Sequence, residues 1–223
     1  MPNRSLDPNS PFFHEERYAG LAACADQLVT VCGAGALGGN LAEMLARMGL
    51  QRLRLIDRDR VEMRNLSTQP YSRAEVGAPK AGALANTLYR AVGARVEATV
   101  ATLTDENAAN LLRESALVVD AFDNRAARAA VSAAARALPL SCLHIGFSGD
   151  GLYGSGVWEP RYRIPDVQQG DPCDYPLTRP FALALAALAA RSVVQCLLTG
   201  DESDFELTWG EPRVIWSGTP RSW

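Results

Sequence analysis

Apolar residues along this chain fall into short blocks of two kinds, and the two kinds alternate. Leu28-Val29-Thr30-Val31-Cys32 is a mostly apolar run that stops at Gly33, the pattern of a buried strand feeding a tight turn. Asn40 to Met48 then places Leu41, Met44, Leu45 and Met48 at helical spacing, so all four share one face. Leu53 to Ile56 reads as a second strand, Lys80 to Val92 as a helix and Arg95 to Val100 as a third strand. Asn107 to Glu114 is helical, Ala116 to Asp120 is a strand ending in an acid, Arg125 to Ala137 is an alanine-rich helix and Leu140 to Ile145 is a strand. Strand–helix alternation of this kind requires parallel pairing with crossover helices. It predicts a doubly wound α/β domain with ligands at the carboxyl ends of its strands.

The pattern changes after Gly146. Glycines at 149, 151, 154 and 156 interleave with Leu152, Tyr153 and Val157, which predicts strands and turns that cross the sheet. Arg161 to Tyr175 reads as a polar loop, Thr178 to Leu198 as the last helix, and Phe205 to Trp216 as two short strands around a Gly-Glu-Pro turn. Before the first strand, residues 1–12 read as a loose arm and Glu15 to Asp26 has helical composition. No internal repeat or linker interrupts residues 13–223, so one domain is expected.

Composition narrows the function classes. Charged residues make up 21% of the chain, net charge is −3 and no basic stripe occurs, so a nucleic-acid partner is not expected. The apolar run Pro180 to Ala190 is too short to span a bilayer and closes at Arg191. The five cysteines are odd in number and form no C-x-x-C pair. Neither a disulfide framework nor a zinc site is expected, and a cytoplasmic setting fits. His14 and His144 stand alone in sequence and suggest no ligand set, and the late tryptophans read as packing or interface residues.

The chemistry lies in segments that follow strands. Gly33-Ala34-Gly35-Ala36-Leu37-Gly38 can set backbone N–H groups and a helix N-terminus against a phosphate. Asp57, nineteen residues after Gly38, ends the second strand, where an acid accepts hydrogen bonds from ribose hydroxyls. These two features alone fit a nicotinamide-dependent oxidoreductase equally well. The loop from Asp57 to Leu66 packs acids, arginines and an amide. Gly77-Ala78-Pro79-Lys80 then opens a helix with the sole lysine among twenty-two basic residues, and Asp120-Ala121-Phe122-Asp123-Asn124 follows the fourth strand. An ammonium, amides and carboxylates converging on one crevice suit a triphosphate with Mg²⁺, because carboxylates hold that ion beside substrate phosphates.

Together these motifs resemble the ThiF/MoeB/HesA family, bacterial relatives of ubiquitin-activating enzymes. The resemblance runs from about Arg17 to Gly200 and rests on Gly33-x-Gly35-x-x-Gly38, Asp57-x-Asp59-x-Val61-Glu62-x-x-Asn65-Leu66, Gly77-x-Pro79-Lys80 and Asp120-x-x-Asp123-Asn124. It implies a Rossmann-like, mostly parallel sheet with a short strand-rich C-terminal extension. It also implies a homodimer that uses ATP and Mg²⁺ to adenylate the C-terminal glycine of a small ubiquitin-like or sulfur-carrier protein ending in Gly-Gly. By the same resemblance Asp57 holds the ribose, Asn65 and Lys80 the phosphates and Asp123 the metal. Gly33, Gly35, Gly38, Asp59, Gln69 and Asn124 complete the nucleotide site. Lys80, Asp123 and Cys173 are then the catalytic candidates, Cys173 because some members carry an acyl-accepting cysteine before the last long helix.

The chain departs from the family pattern in three places. Thr68 stands where a phosphate-binding arginine belongs, leaving Arg64 or Arg73 to substitute. Gly20 replaces the second arginine of the N-terminal motif, leaving Arg17 as its one candidate to reach a partner subunit. The paired zinc-ligating cysteines of many members are missing. These gaps motivate a second reading, a catalytically weakened ATP-binding scaffold or regulatory partner.

Overall fold

The computed structural model describes residues 7–18, 20–165 and 175–217. Its centre is one eight-stranded sheet in the order β3-β2-β1-β4-β5-β6-β7-β8. The first five strands are β1 (Val29–Cys32), β2 (Arg52–Ile56), β3 (Arg95–Thr99), β4 (Leu117–Asp120) and β5 (Cys142–Phe147). They pair in parallel. β6 (Tyr153–Trp158), β7 (Asp204–Thr208) and β8 (Arg213–Ser217) continue the sheet antiparallel, so the glycine-rich segment extends the sheet at its edge rather than crossing it. The mostly parallel α/β sheet with a strand-rich end is thus the architecture expected from the alternation of blocks.

Helices cover both faces because the strands alternate their side chains between them. Val29, Val31, Leu53, Leu55, Leu117, Val119, Leu143 and Ile145 point into one core, which holds α1 (Gly38–Arg47), α2 (Lys80–Val92) and α5 (Arg179–Thr199). Cys32, Ile56, Val118 and Cys142 point into the other, beneath α3 (Ala108–Leu112) and α4 (Arg125–Ala137). Chain order runs from β1 outward to β2 and β3, then returns to β4 on the other side of β1. That reversal opens a crevice at the carboxyl ends of β1 and β4, where such sheets take ligands.

Two elements differ from the sequence pattern. Glu15 to Asp26 forms two 3-10 turns, Glu15–Arg17 and Leu21–Cys24, because Gly20 between them is left-handed at φ 85°. The helix expected over 107–114 shortens to Ala108–Leu112. The last helix, Arg179–Thr199, lies one residue from the expected Thr178 to Leu198; it is longer than the apolar run alone, and with mean hydropathy 1.9 it is long and apolar enough to cross a membrane. Here it is a core element: Phe181, Ala182, Leu185, Ala186, Ala189 and Val193 are fully buried. Gly154 and Gly156 of β6 make room for this side of the sheet, since a Cβ would meet Leu185 at 2.6 Å and Phe205 at 2.2 Å.

Among the tryptophans, Trp158 is fully buried. Trp209 packs on Phe181, and Trp216 packs on Phe205 beneath the Arg191 guanidinium. Trp223 lies outside the described residues. Cys24, Cys32, Cys142 and Cys196 are free and buried. Burial raises the pKa of each, Cys196 to about 11, so these four are inert packing residues.

Candidate active site

The crevice is built around the turn that leaves β1. Gly33 sits at φ 94°, and its N–H donates to the Ile56 carbonyl at 2.8 Å. A Cβ on Gly38 would lie 1.9 Å from the Gly33 carbonyl oxygen, so the first turn of α1 can close only without a side chain there. A Cβ on Gly33 would press against the Ala121 carbonyl at 3.0 Å and the Phe122 ring at 3.3 Å. The glycine turn and the loop after β4 are therefore in direct contact. Gly35 is different, because a Cβ there would meet nothing within 4 Å. Its bare backbone borders open space.

Asp57 caps β2 and is almost wholly buried. Its two carboxylate oxygens accept the Ala34 N–H at 2.6 Å and the Asp59 N–H at 2.7 Å. Burial raises its pKa, while those backbone donors and the Lys80 charge pull it back only in part. Lys80 opens α2 and is 8% exposed. Among the described residues the side-chain partner of Nζ is Asp59 Oδ2, at 3.5 Å. An ammonium carries three donors, and a single long contact leaves most of that capacity for an anion. The Tyr71 hydroxyl bonds the carbonyls of Ala34 at 2.7 Å and Lys80 at 3.3 Å. It clamps the glycine turn to the start of α2. No sequence signal marked Tyr71; its role needs two carbonyls that only the fold brings together.

Other predicted residues have structural duties. The side chain of Asn65 accepts the Glu62 N–H at 2.9 Å in a capping box around the turn Met63–Asn65. Asn124 is the N-cap of α4 and accepts the Ala127 N–H at 2.9 Å. Asp123 beside it, in the loop between β4 and α4, is exposed. Gln69 Oε1 is buried without a hydrogen-bond partner among the described residues, and the Gln69 carbonyl accepts from Arg179 at 3.3 Å. Arg179 thereby anchors the start of α5 to the residue after Thr68, a contact that sequence distance hid. Arg64 pairs with Glu62 at 2.7 Å, and Arg17 lies over the Phe13 ring at 4.4 Å. Cys173 lies outside the described residues.

His144 stands alone in sequence but not in space. One ring nitrogen is 2.7 Å from Asp120 Oδ2, the other 3.0 Å from Glu159 Oε1, and the ring stacks on Tyr162. Burial opposes the charge on Asp120, but Arg128 and His144 outweigh it and hold its pKa below the ordinary aspartate value.

These features fit a nucleotide. The open backbone at Gly35, the under-bonded ammonium of Lys80 and the acid of Asp57 are the donors and acceptors that phosphates and a ribose require. Among the described residues no group of three or more His, Cys, Asp and Glu is arranged to hold a metal alone. Asp123 offers one carboxylate, which suits Mg²⁺ that takes its other ligands from phosphates and water.

The ThiF family's sequence model matches residues 9–206. The chain belongs to the ThiF family. The sulfur carrier protein adenylyltransferase of Thermus thermophilus is 43% identical over 110 residues, 48% of this chain and 40% of that relative. The ThiS adenylyltransferase of Bacillus subtilis is 41% identical over 110 residues, 47% and 32% of the two chains. The molybdopterin-synthase adenylyltransferase of Escherichia coli is 32% identical over 167 residues, 74% of this chain and 64% of the relative. This ThiF-family chain thus spans less than two thirds of the length of these relatives. Among solved structures, E. coli MccB with ATP superposes at TM-score 0.77 and 17% identity over 96% of this chain and 73% of that one. E. coli TcdA with AMP superposes at 0.73 and 20% identity over 85% and 94%. At such identities the likeness establishes a shared fold.

Proposed function

We propose that this chain adenylates the C-terminal glycine of a small ubiquitin-like or sulfur-carrier protein ending in Gly-Gly, using ATP and Mg²⁺. The observation that carries this reading is Lys80: a buried ammonium whose side-chain partner among the described residues is Asp59 alone, at 3.5 Å, with an exposed carboxylate at Asp123 in the loop that packs on the glycine turn. A nicotinamide enzyme has no use for that pair. The adenylyltransferase names of the three relatives support the same reaction class.

In this reading the carrier's terminal carboxylate attacks the α-phosphorus of ATP. A new C–O–P linkage forms, the α–β P–O bond breaks, and its electron pair leaves with pyrophosphate. The carboxylate is already ionised at neutral pH, so no general base is needed, and catalysis rests on positioning and charge neutralisation. The Gly35 backbone and Lys80 would hold the phosphates and Asp57 would orient the ribose; Asp123 would hold Mg²⁺, which when bound would help neutralise the charge of the phosphates. The chain works as a homodimer in the cytoplasm, and light scattering checks the assembly: a monomer near 24 kDa at micromolar concentration counts against it.

Thr68 favours a second reading, an ATP-binding scaffold with weakened catalysis. Its side chain carries no charge, and its carbonyl is taken by Asn40 at 2.8 Å. Calorimetric titration with ATP–Mg²⁺ and with NAD tests the shared premise. ATP binding that depends on Lys80 supports both ATP readings, and preference for NAD overturns both.

A further inference from the structure

We infer that His144 is a positioning residue for the loop that carries Asp123, acting through Asp120; the inference rests on the adenylation reading for its kinetic consequence. The backbone N–H of Phe122, adjacent to Asp123, donates to Asp120 Oδ1 at 3.1 Å. The other oxygen of the same carboxylate faces His144 Nδ1 at 2.7 Å. Asp120 is fully buried, so its orientation decides where that loop leaves β4.

Each of the two carboxylates beside the ring also has a guanidinium of its own. Asp120 already faces the Arg128 guanidinium at 3.5 Å, and Glu159 pairs with Arg136 at 2.7 Å. The imidazole adds direction. Stacking on Tyr162, with centroids 3.7 Å apart and planes 5° apart, fixes the ring in its plane. Bonds at both nitrogens fix it about its axis. Groups that orient the holder of a metal or reacting group govern rate more than ground-state binding. The ring also joins two regions of the chain, since Glu159 and Tyr162 lie where β6 runs into the loop toward the last helix. The position of Asp123 and the root of that loop therefore share one buried anchor.

Two substitutions divide the ring's functions. His144→Asn places an amide near Nδ1 and keeps the donor to Asp120, whereas His144→Gln reaches toward the Nε2 position and abandons Asp120. Hydrogen exchange of the Phe122 amide in the nucleotide-free protein should quicken about tenfold in His144→Gln and stay near wild type in His144→Asn. In ATP–pyrophosphate exchange with a Gly-Gly carrier, His144→Gln should lower kcat roughly ten- to hundredfold. Its KM for ATP should stay within about threefold of wild type, and His144→Asn should keep most of kcat. Asp120→Asn makes the same test without touching the ring, because an amide has one acceptor for two donors; it should behave like His144→Gln and serves if that variant does not fold. Equal effects of the two His144 variants on the Phe122 amide, or selective loss in His144→Asn, overturn the inference. Wild-type protein without pyrophosphate exchange refutes the adenylation reading instead, and the amide exchange then decides the positioning role by itself.

Discussion

Gly35→Ala separates the fold's need for the glycine turn from the ligand's need for it. An added Cβ at Gly35 meets no heavy atom within 4 Å, and the residue is not in the left-handed region. The fold should therefore tolerate alanine within about 0.5 kcal/mol. A phosphate resting on this turn should not. One methyl group in its path removes at least one charge-assisted hydrogen bond from the backbone, worth about 1.5–3 kcal/mol. ATP affinity should then fall by roughly ten- to hundredfold. Gly38→Ala is the contrasting variant, because its Cβ would sit 1.9 Å from the Gly33 carbonyl oxygen. Both atoms belong to backbone that cannot swing aside, so a loss of more than about 4 kcal/mol is expected. Thermal melting and calorimetric titration with ATP–Mg²⁺ on both variants make the comparison. Wild-type ATP affinity in Gly35→Ala would refute the placement of phosphate at this turn, and a large drop in its melting temperature would refute the open space beside it.

Neutralising Lys80 with Met or Asp123 with Asn should weaken ATP–Mg²⁺ binding or turnover by about tenfold or more, since each removes a charge facing the phosphates or their metal; calorimetry and pyrophosphate exchange read the loss. ATP affinity should decline on acidification at a pH above the ordinary aspartate value of about 3.9, because burial raises the Asp57 pKa and protonation removes a ribose acceptor. A raised folded-state pKa means that this proton relieves the fold, so Asp57 itself gives no loss of melting temperature there, while Asp57→Asn should flatten the binding profile. Unfolding in acid belongs lower, where Asp120, whose folded pKa is depressed, loses its contribution as pH falls through that value. Cys173→Ala should leave ATP–pyrophosphate exchange intact, because adenylation involves no thiol; if the cysteine accepts the acyl group, a thiol-sensitive carrier adduct seen with wild type should vanish.

The sequence carries the fold well where local pattern and global packing agree. The glycine turn, the two acid-ending strands and Lys80 at a helix start all follow strands or open helices in the alternating β1-to-β4 half of the chain, so their placement at one end of the sheet was legible. What escaped depends on distance along the chain. His144 reads as solitary because its partners Asp120 and Glu159 lie 24 and 15 residues away. Arg179 reaches Gln69 across 110 residues. Tyr71 acts through two carbonyls, which have no sequence signature. Asn65 and Asn124 carry a duty that their motif positions do not show: their amide oxygens cap a local turn and the start of α4. The extent of α5 was legible, but the run from Pro180 understated its apolar length, because Arg191 does not close the apolar stretch and instead covers the Trp216 ring.

The most direct test mixes the full chain with ATP, Mg²⁺ and a small carrier protein ending in Gly-Gly, and follows radiolabelled pyrophosphate into ATP. Adenylation predicts exchange that requires the carrier, stops when its terminal glycine is removed, and is lost in Lys80→Met. ATP binding without exchange for any such carrier would contradict it and leave this chain an ATP-binding scaffold.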